Sequence, residues 1–157
     1  MNACRMEKGY RHWGHDVGPD DDPLAAGLSF TVAWDKPGGF IGKQALLERR
    51  AAGKPCRRLV QLQLATDNEL LYHEEPIYAD GELVGTTTSG MYGHRLGASL
   101  GMGYISLVEP VTADRLKELT IEVDIGGRRV KALAQLGGFY DPGNARIRPS
   151  KLEKSHV

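Results

Sequence analysis

The sequence predicts an α+β chain that is mainly β, with a short strand-plus-helix piece followed by a six-stranded antiparallel unit. Three observations lead there. Glycine supplies 20 of 157 residues, about twice the usual share, and glycine is the residue that turns and bulges with positive φ demand. Asp80-Gly81 stands between short apolar runs, which is the strongest short-range hairpin signal, and Gly126-Gly127 marks a second turn between two runs. The flanking runs alternate apolar and polar residues, as half-buried strands do.

The first twelve-residue stretch of interest, Arg5 to Asp16, carries two aromatics, two histidines and two carboxylates. Val17-Gly18-Pro19-Asp20-Asp21-Asp22-Pro23 then reads as a solvated turn, since Pro and Asp both interrupt regular structure. Its three carboxylates lack the alternate spacing and late Glu of a calcium loop. Leu28 to Trp34 alternates large and small residues and reads as a strand. Asp35 to Gly39 is a turn. Lys43 to Ala52 is rich in strong helix formers, with Gly53 placed as a C′ glycine and Pro55 beyond it.

From Arg57 the grammar becomes strands and tight turns. Leu59 to Leu64 sets Val60, Leu62 and Leu64 on one face and Gln61 and Gln63 on the other. A polar loop over 65–75 leads into Pro76 to Ala79, then Glu82 to Gly85. Thr86 to Tyr92 reads as a strand interrupted by a glycine bulge, and Leu100 to Ile105 as a strand whose glycines permit close backbone approach. Leu119 to Ile125 and Arg128 to Leu136 complete the set. About six strands in roughly 90 residues imply a small barrel or sandwich.

A boundary is expected near Gly53-Lys54-Pro55. Residues 1–53 form an incomplete lobe, because one strand and one short helix do not bury enough apolar area to fold alone. Residues 54–148 form the β unit, and 149–157 a disordered tail. The incomplete lobe is expected to be mobile or covered by another chain.

Composition narrows the function classes. Hydrophobic residues make up 41% and charged residues 25%, and 20 basic residues balance 20 acidic ones. That balance carries no footprint for nucleic acid or an anionic membrane surface. No apolar run nears the roughly 20 residues of a membrane span, and the N-terminus lacks a signal-peptide pattern. Cys4 and Cys56 form neither a disulfide framework nor a Cys-x-x-Cys motif. A cytoplasmic protein is the expectation.

Few residues carry chemistry by spacing alone. The carboxylate of Glu7 is able to accept two parallel N–H bonds, suiting a ligand edge such as a pterin, although a salt-bridged surface Glu beside Lys8 and Arg11 is the commoner use. His12, His15 and Asp16 fall short of the convergent ligands a zinc site needs, so no metal site is assigned. Ser89 lacks the flanking glycines and following helix of a nucleophile elbow, and no catalytic residue is assigned.

Several motifs taken together carry a resemblance. Arg5-Met6-Glu7-Lys8-Gly9, Trp13-Gly14-His15-Asp16, Pro23 to Leu28, Phe40 to Leu46, Val84 to His94 and Phe139-Tyr140-Asp141-Pro142 occur in order. The series resembles the glycine-cleavage T-protein (aminomethyltransferase) family, and within it the folate-binding part of dimethylglycine and sarcosine dehydrogenases. The resemblance implies a three-lobed folate-binding unit whose last lobe is a six-stranded antiparallel β-barrel. It implies tetrahydrofolate as cofactor, with Glu7 holding the pterin ring and Lys36 near the folate tail. Ala25 departs from the family's usual Glu.

The family's catalytic aspartate belongs to an N-terminal part that the motif series does not include. FAD, in the dehydrogenase branch, would sit further upstream still. The expectation is therefore a C-terminal fragment of a one-carbon-transfer enzyme, inactive alone. Its partners would be a folate and either the remainder of the enzyme or a second chain, a homo-oligomer included. The alternative is a stand-alone β-barrel interaction module without folate binding.

Overall fold

The computed structural model describes residues 1–66 and 68–148; the expected tail at 149–157 lies outside them. Six strands close into an antiparallel barrel in the order β1-β4-β3-β2-β5-β6, with β1 at Arg57–Leu64, β2 at Pro76–Ala79, β3 at Glu82–Gly93, β4 at Ala98–Ser106, β5 at Ile121–Ile125 and β6 at Arg128–Gln135. Closure is made by β1, which pairs with β4 on one side and, through Gln61 to Leu64, with β6 on the other.

Both expected hairpin turns form. Asp80 and Gly81 have φ of 49° and 89°, and Gly126 and Gly127 have 60° and 83°, the double positive φ of a type I′ turn that matches strand twist. Val60, Leu62, Leu64, Ile77, Ile105, Ile121 and Val123 fill the barrel, with Val130, Ala132, Ala134 and Leu136 packed against them. The glycines of β4 do allow close approach: a Cβ at Gly103 would stand 2.4 Å from the Thr86 carbonyl oxygen.

Two local expectations are corrected, and one helix is added. Residues 28–34 are not a strand: Ser29–Thr31 is a single 3₁₀ turn, in which the Thr31 hydroxyl donates to the Leu28 carbonyl at 2.7 Å. The alternating pattern finds no neighbouring strand among the described residues, and Phe30 is 80% exposed. Within residues 86–92 the irregularity in β3 falls at Thr88 rather than at a glycine, where the register against β4 steps between Thr87 and Ser89; a second step, against β2, skips Val84. A helix that strand periodicity passes over, Ala113–Glu118, joins β4 to β5, its N-terminus capped by the Thr112 side chain accepting from Arg115 N.

Two helices precede the barrel, α1 at Asn2–Lys8 and α2 at Lys43–Ala51; the Ala113–Glu118 helix is α3. Helix α1 ends in a Schellman motif: Gly9, at φ 71°, donates to Met6 O at 3.1 Å and Tyr10 donates to Arg5 O at 2.8 Å. Helix α2 buries no residue. It is fastened by Arg49 to Asp22 at 2.5 Å and by Arg50 over the Trp34 ring.

A second core lies on the outer face of the barrel. Met6 and Ala25 pack with Leu59, Leu100, Met102 and Tyr104, and Phe139 joins them. Part of the N-terminal segment therefore finds its apolar partner in the barrel wall. Ala25, where the family pattern has Glu, is buried, and its carbonyl accepts from Leu59 N at 2.9 Å. Gln61, on the polar face of β1, is buried because α1 and the segment after β6 cover it. Its amide donates to Met6 O and accepts from Phe139 N. Nearby, Tyr140 N donates to Glu7 O at 3.0 Å.

Candidate functional site

The opening stretch is organised around Asp16, which is fully buried. The loop His12 to Val17 wraps its carboxylate. Oδ2 accepts from His12 N at 2.8 Å and from Arg5 Nη1 at 2.6 Å, while Oδ1 accepts from the Thr88 hydroxyl at 2.5 Å. Arg5 also donates to Ser89 Oγ at 3.0 Å. The register step in β3 is what aims Thr88 at Asp16, a known use of bulges. Sequence spacing did not select Thr88; the run Thr86-Thr87-Thr88-Ser89 was its only signal.

This knot is chemically closed. Both Asp16 oxygens are occupied by donors, and Ser89 faces a guanidinium instead of a base. A nucleophile requires an adjacent proton acceptor, so the group holds α1 and the 12–17 loop against β3. His12 and His15 stack with ring centroids 4.6 Å apart. No cluster of three or more His, Cys, Asp or Glu able to hold a metal occurs among the described residues.

Glu7 lies on the buried side of α1. Its Oε1 accepts from Arg95 N at 2.6 Å, fixing the turn between β3 and β4. That occupies one of the two oxygens that the bidentate argument supposed free. Oε2 accepts no hydrogen bond among the described residues. Lys36 stands exposed in the turn after Trp34. No hydrogen bond joins Glu7 to Lys36, and the structure sets them in different surroundings, one packed and one in solvent. Arg95 was not singled out from sequence at all.

The aspartates at 20–22 do more than solvate a loop. Asp21 accepts from Gly18 N and pairs with Arg57 at 2.9 Å, while Asp22 caps Leu24 N and Ala25 N. On the other side of α1, Lys8 Nζ donates to Asp141 O at 2.6 Å and to Asn144 Oδ1 at 2.7 Å. Polar ties thus fasten the N-terminal segment to both ends of the barrel sequence.

Burial shapes the ionisation of three neighbours. It lowers the guanidinium pKa of Arg11, against the favourable charge of Asp16, and lowers that of Arg58. It pushes Tyr104 up to about 12, with the charge of Asp21 adding and Arg57 opposing. Arg57 lies over the Tyr104 ring at 3.8 Å, and the Tyr104 hydroxyl has no hydrogen-bond partner among the described residues.

Comparison with known proteins agrees with this architecture. Residues 57–141 match the glycine cleavage T-protein C-terminal barrel domain, and residues 1–36 match the GCVT N-terminal domain. The chain is 41% identical over 148 residues to 4-methylaminobutanoate oxidase (formaldehyde-forming) of Paenarthrobacter nicotinovorans, covering 94% of this chain and 17% of that protein. It is 41% identical over 133 residues to human mitochondrial dimethylglycine dehydrogenase, covering 85% and 15%. Against a probable aminomethyltransferase of Thermococcus kodakarensis it is 36% identical, covering 90% and 35%. The chain thus spans well under half the length of these relatives. In fold it is similar to the glycine cleavage system aminomethyltransferase T of Bartonella henselae, with TM-score 0.70 and 24% identity over 89% of this chain and 37% of that one. The chain belongs to the glycine cleavage T-protein family, and its closed six-stranded barrel is that family's C-terminal barrel domain.

Proposed function

We propose that this chain serves as the C-terminal part of a tetrahydrofolate-dependent one-carbon-transfer enzyme of the dimethylglycine/sarcosine dehydrogenase or aminomethyltransferase type, inactive by itself. One observation carries the reading: the two family matches follow one another in family order, and the segments they cover share a core through Met6, Ala25, Leu59 and Leu100. The described residues contain no acid, base and nucleophile in mutual contact, so the reactive groups would come from outside this chain. The barrel's part is then to support a folate pocket completed by upstream sequence, where a flavin domain would also reside in the dehydrogenase branch.

Folate contact by Glu7 and Lys36 belongs to the same proposal. Glu7 has Oε2 available, and an oxygen already bonded to one N–H retains a second acceptor site. A pterin edge would reach that oxygen through the 5% of Glu7 that stays exposed. Lys36 is free to meet a glutamate tail as a mobile point charge.

The test is calorimetry with tetrahydrofolate on this chain and on the chain extended by its upstream sequence. Saturable binding only in the extended protein is expected. Glu7→Gln in that protein weakens binding while hydrogen exchange at Arg95 shows whether the turn is still held. An upstream reading frame without pterin-binding sequence, or an extended protein indifferent to tetrahydrofolate, would sink the proposal.

A further inference from the structure

We propose that the cavity between the Ser29–Trp34 turn, the end of α2 and the start of β1 is a binding site for a small aromatic carboxylate. It does not depend on the folate reading. Its volume is about 390 Å³, within the range of small-molecule pockets. Leu24, Phe30 and Trp34 supply apolar wall, and Arg50, Lys54 and Arg58 supply positive charge, with no carboxylate among the lining residues.

The charge there is unbalanced. Arg58 Nε is buried without a hydrogen-bond partner among the described residues. A second guanidinium, Arg11, crowds it: both approach the bare side of Gly27, where a Cβ would lie 2.8 Å from Arg11 Nη2 and 3.8 Å from Arg58 Nη2. Arg11 is bonded to the carbonyls of Ala26 and Gly9, which satisfy donors but carry no net charge. Of the nearby aspartates, Asp16 pairs with Arg5 and also favours the charge of Arg11. Asp21 pairs with Arg57 and Asp22 with Arg49, which leaves Arg58 without a carboxylate partner among the described residues. Asp114, the carboxylate beyond Lys54, is spent on Lys117 at 3.0 Å, and no ion pair with Arg58 occurs among the described residues. Two guanidiniums side by side, one with an orphaned buried donor, are costly unless an anion joins them.

The walls select the kind of anion. A guanidinium fork matches a carboxylate or a phosphate equally. Here, however, the partly buried Trp34 ring has Arg50 4.7 Å from its centroid, and Phe30 projects 80% exposed at the rim. Flat aromatic faces next to cations favour a planar organic body bearing the charge over a bare inorganic ion.

Fluorescence titration tests this. The chain has two tryptophans, so Trp13→Phe leaves Trp34 as the only reporter. Benzoate, benzamide and inorganic phosphate are the probes. Saturable change with benzoate alone is expected, weakened about tenfold or more by Arg58→Gln, as for loss of one partner in a desolvated charge pair. Phe30→Ala and Lys54→Gln, both at exposed positions, weaken it less and guard against a misfolded Arg58 variant. Equal binding of phosphate would overturn the aromatic requirement. No saturation by any probe would overturn the site, assigning the arginine pair to a carboxylate from another polypeptide segment.

Discussion

Arg5 Nη1 lies 2.6 Å from Asp16 Oδ2, and the Asp16 side chain is shut off from solvent while Arg5 retains 17% exposure. Removing one member of such a pair strands the other, which typically costs about 3–5 kcal/mol. Asp16→Ala should therefore lose at least about 3 kcal/mol in urea denaturation, and Asp16→Asn less, because the amide oxygen still accepts. A double variant with Arg5→Met should recover part of the loss. An Asp16→Ala protein as stable as the parent would remove the knot from any account of the fold.

Gly85 leaves no room for a methyl group. An added Cβ would stand 1.8 Å from the Tyr104 carbonyl oxygen, and a backbone atom cannot rotate away as a side chain can. Gly85→Ala should cost about 3 kcal/mol, the upper part of the overpacking range. Gly127→Ala, with open space but φ of 83°, should cost only about 1 kcal/mol from backbone strain. Reversal of that order in thermal melts would refute the packing argument.

Gln61 links α1 to the segment after β6 through Met6 O and Phe139 N. Gln61→Leu leaves the Phe139 N–H without its partner, at about 1–3 kcal/mol. The loss should be regional. Hydrogen exchange should quicken around residues 6–17 and 139–141 while β2 and β5 keep their protection. Uniform loss across the barrel would show that the two cores melt as one.

Tyr104 gives a pH signature. Its ionisation lies at about 12 against an ordinary 10.0, chiefly through burial. The folded state thus holds its proton more tightly than the unfolded chain. The contribution to stability is complete below pH 10 and falls away as pH rises toward 12. Absorbance titration at alkaline pH should show a tyrosine step at about 12, and Tyr104→Phe should abolish that step and flatten the alkaline loss.

The barrel was legible because strand alternation and the two turn dipeptides report on local geometry. Val60, Leu62, Leu64, Ile121 and Val123 sit where period two puts them. What alternation could not reveal is a second layer packed outside the barrel, which makes Gln61, on the polar face of β1, a buried clasp. The 28–34 stretch failed for the opposite reason: it has strand-like residues but no neighbour to pair with. In the opening stretch the spacing singled out Asp16 as a ligand candidate. Its partner Thr88 lies 72 positions away, and only tertiary folding shows that Thr88, Arg5 and His12 N saturate it. Glu7 was readable as a carboxylate of consequence, but its bond to Arg95 was not.

The bond from Tyr140 N to Glu7 O couples the two flanks of the chain. Helix α1 and the segment after β6 meet on one face of the barrel wall, where Met6 and Phe139 share a core. A change that loosens either flank is therefore felt by the other, although the Lys8–Asp141 contact beside them spans 133 positions of sequence.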